Sequence, residues 1–225
     1  METGLKILTL LICYSLLYLH CFFIWKKKAG TILSEKVQKD NWMLVHIRNA
    51  GGIIIMVLIP VIFLPVIPEG LLTWPQHIDS LQVFVLMITG LLLFILSVKE
   101  TEKISGENTG SSHKSFIHAI VYMVLRVSFL VSYEWFFRGI IFFSCVSLWG
   151  VFPAIVINTM MYAFIHSFSG RKEFLGSIPF GITLCVFTIW WQSIWPAILL
   201  HLFLSIPYES ILLHRLFNKP LKQIL

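Results

Sequence analysis

Seven long apolar stretches, separated by short polar linkers, constrain this chain more than any other feature. They run Ile7–Trp25, Gly51–Pro68, Leu81–Val98, Phe116–Trp149, Val151–Phe168, Phe174–Trp191 and Ile194–His214. Crossing a hydrocarbon core of roughly 30 Å takes about 20 apolar residues in a helix. The sequence therefore predicts an all-α, polytopic transmembrane helix bundle of about seven spans. Residues 1–115 supply three spans with their polar loops, and residues 116–225 supply four spans and a short basic tail. The chain is 57% hydrophobic and only 12% charged, against about 25% charged in an average soluble domain. So little charge does not cover a water-facing surface, and membrane lipids are the expected surroundings.

The first run is longer than a signal-peptide core, is followed by Lys26, Lys27 and Lys28, and has no small-residue cleavage site. It reads as a retained span. Pro60 and Pro65 predict a kink in the second run. Lys99–Ser115, rich in Gly, Ser, Glu and Lys, reads as a loop. Phe116–Trp149 exceeds one span at about 1.5 Å per residue, which predicts a tilted or two-part helix. Gly170-Arg171-Lys172-Glu173 joins the fifth and sixth spans, and Trp191-Gln192-Ser193 joins the sixth and seventh. No internal repeat is evident.

A net charge of +6 raises nucleic acid as a partner, but the basic residues form no single face. They collect in alternate loops, as membrane topology requires. Lys26, Lys27, Lys28, Lys36, Lys39, Arg48, Lys99, Lys103, Lys114, Arg171, Lys172, Arg215, Lys219 and Lys222 fall on one side. The opposite loop, Glu69–Ser80, has no Lys or Arg, and Lys6 alone is misplaced. This predicts the N-terminus outside and the C-terminus in the cytoplasm. Trp74, Trp191 and Trp195 fit an outer aromatic belt. Cys13, Cys21, Cys145 and Cys185 sit in apolar runs without CxxC spacing, which suits packing rather than disulfides or a zinc ribbon.

Ionisable groups inside spans cost on the order of 2.5–3.5 kcal/mol each on insertion scales, so each needs a partner or a task. Glu134 and Arg138 stand four apart, in the order that favours an ion pair. His166 and His201 lie on two further spans. A lone histidine in a bundle is more often hydrogen-bonding glue than a catalyst. Two of them with a carboxylate on a third span can build a polar cavity for water activation and oxyanion stabilisation. The same three groups, Glu134, His166 and His201, are also the set that would hold a divalent metal such as zinc, although HExxH spacing is absent. His20 and Arg126 read as packing or interface residues, Arg126 by snorkelling. His118 and Glu209 are marginal.

At these positions the sequence resembles the CPBP family of intramembrane proteases, the Abi or CAAX-protease-like proteins. Its EExxxRG motif resembles Tyr133-Glu134-Trp135-Phe136-Phe137-Arg138-Gly139, its FxxxH motif resembles Tyr162 through His166, and its HxxxN or HxxxD motif resembles His201 through Ser205. The resemblance covers Phe116 to about His214. Two positions depart from it: Tyr133 replaces the glutamate that activates water in the family, and Ser205 replaces the final Asn or Asp. Neighbours on a helix diverge by about 100°, so Glu134 takes the place of residue 133 only if the helix is rotated or locally unwound.

The resemblance implies an intramembrane endopeptidase acting on a membrane-associated peptide or protein in a bacterial cytoplasmic membrane. Glu134 would be the general base on water held with His166. His201 and Ser205 would stabilise the oxyanion, with Arg138 tuning the glutamate. Two other readings stand beside it. One is a catalytically impaired member acting as a bacteriocin-immunity or binding protein, and the other is a small transporter or channel lined by the same polar groups.

Overall fold

In lipid, an apolar run satisfies its backbone N–H and C=O groups by coiling into a helix. The computed structural model describes residues 2–27, 42–63, 74–75, 78–103 and 116–217. Helix α1 is Glu2–Lys26. Helix α2 runs from Trp42–Ile53 through a π-helical Ile54–Leu58 to Ile59–Phe63. Helix α3 is Ser80–Lys103. Helix α4 comprises Phe116–Glu134, a π-helical Trp135–Phe142 and Phe143–Trp149. Helix α5 is Val151–His166, closing in a 3-10 turn at Ser167–Ser169. Helices α6 and α7 are Arg171–Trp191 and Trp195–Phe217. Among the described residues, seven helices are long and apolar enough to cross a membrane. The protein is an integral membrane helix bundle.

The second span begins at Trp42, not Gly51. Trp42, Val45, Asn49 and Gly52 are buried on one face, and α2 packs on α4. His46, Arg48 and Asn49 dilute the apolar signal there, so a hydropathy reading starts the span too late. Arg48 accordingly belongs to α2 and not to a loop. The sixth span begins at Arg171 rather than Phe174, because the chain turns at Gly170, whose φ is 129°, and Phe174 N–H already donates to the Gly170 carbonyl. The short turn after Trp191 is present, with Gln192 left-handed at φ 50°. Its side chain donates to the Ile189 carbonyl at 2.7 Å.

Pro60 acts through the turn before it. A proline has no N–H to donate and its ring crowds the carbonyl four residues back. The chain widens into the π segment Ile54–Leu58, with Ile59 N–H donating to the Ile54 carbonyl. Pro65, Pro68, most of the Glu69–Ser80 loop, residues 28–41 and 104–115, and the basic tail from 218 lie outside the described residues. Helix α3 starts where Asp79 caps it: the Asp79 carboxylate accepts from Leu81 N–H, and Gln82 Oε1 accepts from Asp79 N–H. This is a reciprocal capping box.

Helix α4 fills the centre, and α3 is peripheral, with 44% and 17% of their respective spans buried. The Phe116–Trp149 run is thus a two-part helix divided by its π segment. The core joins Tyr133, Phe136, Phe137 and Phe142 of α4 to Leu17, Met56, Tyr162, Cys185 and Ile198 from five other helices. Large apolar side chains such as Phe84, Leu91 and Phe152 face outward, as lipid contact requires.

Small residues let membrane helices approach closely, and Gly51-Gly52 does so on two sides of α2. A Cβ on Gly51 would fall 2.6 Å from the His20 ring of α1, and one on Gly52 would fall 2.4 Å from Phe129 of α4. His20 Nε2 also bonds the Arg48 carbonyl at 3.0 Å, which ties α1 to α2. Gly52→Ala is expected to cost about 1–3 kcal/mol, the usual range for overpacking. Gly176→Ala, where nothing lies within 4 Å, should be neutral or stabilising. Thermal unfolding in micelles checks this, and equal melting temperatures for the two variants would contradict the packing.

Candidate active site

The π segment of α4 starts immediately after Tyr133-Glu134, the pair in which the sequence departs from the family motif. A π turn closes through i→i+5 bonds and is wider than an α turn, so it changes the register of the side chains that follow it relative to those before. Both residues are buried, but they serve different partners. The Tyr133 ring stacks on Phe137 at 4.5 Å and meets the rings of His166 and His201 edge-on at 6.1 and 6.0 Å. Glu134 reaches α7, where its Oε1 lies 2.5 Å from His201 Nδ1. Its Oε2 lies 3.2 Å from Arg138 Nη1.

Arg138 is wholly buried. Its guanidinium lies 4.3 Å from the Tyr162 ring centroid, a distance at which a cation is attracted to the ring face. Nε and Nη2 have no hydrogen-bond partner, so Nη1 alone of its nitrogens bonds Glu134. His166 stands one turn beyond Tyr162. Its Nδ1 meets the Tyr162 carbonyl at 3.0 Å and the two rings lie 4.3 Å apart. A carbonyl only accepts, so Nδ1 carries the proton. In the neutral ring, Nε2 is then the basic nitrogen.

His166, His201, Tyr133 and Ser205 line one cavity of about 800 Å³, which extends to Lys172 and Glu173 at the start of α6. Glu134 and Arg138 do not line it. Both are fully buried, and Glu134 touches the cavity lining at His201. Ser205 makes no hydrogen bond to His201 or Glu134. Of the three groups expected to hold a divalent metal, Glu134 meets His201 directly and His166 lines the same cavity as His201. Among the described residues, no set of three His, Cys, Asp or Glu side chains has the geometry to hold a metal ion.

Two features escaped the sequence reading. Arg126 Nε pairs with Glu209 Oε1 of α7 at 3.2 Å, and both residues line the cavity. Asn158 is wholly buried and bonds the Phe137 carbonyl at 2.7 Å. It precedes Tyr162 and His166 at intervals of four residues, and that spacing on one helix face was the available signal.

Residues 115–206 match a protein-family model described as type II CAAX prenyl endopeptidase Rce1-like. The match starts at the head of α4, ends just beyond Ser205, and contains all three motifs, which bears out the CAAX-protease-like resemblance. No curated protein and no solved structure matches the chain.

The burial of Glu134 and Arg138 carries a stability consequence. Removing one member of a buried pair strands the other charge, at a cost of about 3–5 kcal/mol, whereas replacing both with apolar side chains is often neutral. Arg138→Leu should therefore lower unfolding stability by that amount, and Glu134→Leu combined with Arg138→Leu should recover most of the loss. Chemical denaturation in mixed micelles reads both, and a harmless Arg138→Leu would contradict the pairing.

Proposed function

We propose, for a chain whose second half matches the Rce1-like family, that it is an intramembrane endopeptidase hydrolysing a peptide bond of a membrane-associated peptide or protein. The observation that carries this reading is the contact between Glu134 and His201, with His201 and His166 lining one cavity inside the bundle. The burial of Glu134 changes the roles expected from the motifs. His201 is the general base, and Glu134 orients it and stabilises the imidazolium that forms, as a carboxylate does for histidine in other hydrolases.

In this mechanism water sits between the Nε2 atoms of His201 and His166. His201 takes its proton as the water oxygen bonds to the substrate carbonyl carbon, giving a tetrahedral oxyanion. Ser205, whose hydroxyl is one turn from His201, donates a hydrogen bond to that oxyanion. The C–N bond then breaks, and His201 returns the proton to the leaving amine. Tyr133 holds both imidazoles edge-on. Arg138 keeps Glu134 in place from the far side. The cavity reaches the bundle end that carries Lys172 and Arg171, so under the positive-inside rule substrate enters from the cytoplasm.

A second reading is favoured by one observation. An uncharged tyrosine stands where the family motif has its first glutamate, which suits a catalytically silent member that binds a peptide in the same cavity. The test is processing of membrane-anchored reporter peptides in proteoliposomes. Losing a general base typically costs about 10²–10⁴-fold in rate, so His201→Ala and Glu134→Gln should fall by that order, and His166→Ala should also be impaired. Equal processing by wild type and all three variants removes the enzymatic reading. Activity that appears only in Tyr133→Glu establishes the binding protein instead.

A further inference from the structure

Asn158 belongs to no motif, yet it is tied to the site from two directions. It is wholly buried in α5. Its Nδ2–H donates to the Phe137 carbonyl of α4 at 2.7 Å, and its Oδ1 accepts from the Cys185 thiol of α6 at 3.3 Å. An amide buried in an apolar span is costly unless it is bonded, and this one has partners at both ends.

The partner on α4 is what gives the contact a function. The Phe137 carbonyl lies inside the π segment Trp135–Phe142 and belongs to the same rigid peptide plane as the nitrogen of Arg138. A side chain that fixes this carbonyl therefore fixes the peptide from which Arg138 projects. Arg138 in turn meets Glu134 at 3.2 Å. π turns are rare insertions in α-helices, concentrated at functional sites, and they need support from outside the helix ladder to persist. Asn158 provides it from a neighbouring helix.

We propose that Asn158 is a positioning residue: it locks the π register of α4 and so delivers the Glu134 carboxylate to His201. Its part in catalysis rests on the endopeptidase reading, but its effect on the Glu134–His201 contact is measurable without a substrate. In protein carrying ¹⁵N-labelled histidine, reconstituted in nanodiscs, the His201 Nδ1 proton shared with Glu134 gives a strongly downfield resonance, assigned by its absence in His201→Ala. Asn158→Asp keeps the shape but removes the donor, and Asn158→Leu removes all hydrogen bonding. Both should abolish or markedly shift that resonance while helical content is kept. Cys185→Ala, which leaves the Nδ2 bond intact, should preserve it. Should Asn158→Leu fail to assemble, Asn158→Ser, too short to reach Phe137, supplies the same readout. A folded Asn158→Asp or Asn158→Ser protein with an unchanged His201 resonance would overturn the proposal. Loss of the resonance without detectable peptidase activity in any variant would uphold the positioning role and overturn the enzymatic one.

Discussion

The Glu134 carboxylate, held between Arg138 and His201 in the middle of a membrane bundle, is the interaction on which the rest of this structure depends. A charge in a bilayer is tolerated when protein encloses it and opposite charge or hydrogen bonds meet it. Helix α4 therefore lies inside the bundle. Its aromatic residues Phe136, Phe137 and Phe142 are buried along with the pair, and the Arg138 guanidinium meets Tyr162 of α5 while Glu134 meets His201 of α7. The apolar exterior of α3 and the polar interior of α4 are two sides of the same requirement.

From that enclosure the cavity chemistry follows. Glu134 does not touch the cavity, but it bonds an imidazole that does. Tyr133, next to it in sequence, turns its ring toward both histidines. The π segment lets the residues that follow this pair adopt a register that a regular α-helix would not give them. Asn158 and Arg126–Glu209 add polar ties across the helices on either side of the site, one to the π segment and one to the cavity wall.

Much of this was legible in the sequence because it depends on run length and residue type. The spans beginning at Ile7, Leu81 and Val151 follow from uninterrupted apolar sequence. Glu134, His166 and His201 were recognisable because ionisable groups are rare in such runs. What stayed hidden depends on long-range contact. The start of α2 was masked by Arg48 and Asn49, which face protein rather than lipid. The pairing of Arg126 with Glu209 joins two helices far apart in sequence. The π segment after Glu134 has no signature in composition, and the contact of Glu134 with His201 joins two helices far apart in sequence. Spacing locates a carboxylate on a helix but not the imidazole that it meets on another.

The central claim is that Glu134 and His201 act as one unit, and a double-mutant cycle in unfolding free energy tests it most directly. Glu134→Gln, His201→Phe and the double variant would be denatured in the same micelles. A hydrogen bond to a charged group is worth about 1.5–3 kcal/mol, so the account predicts that the two single effects fail to add by roughly that amount. Additivity within about 0.3–0.5 kcal/mol, the behaviour of independent sites, would contradict it.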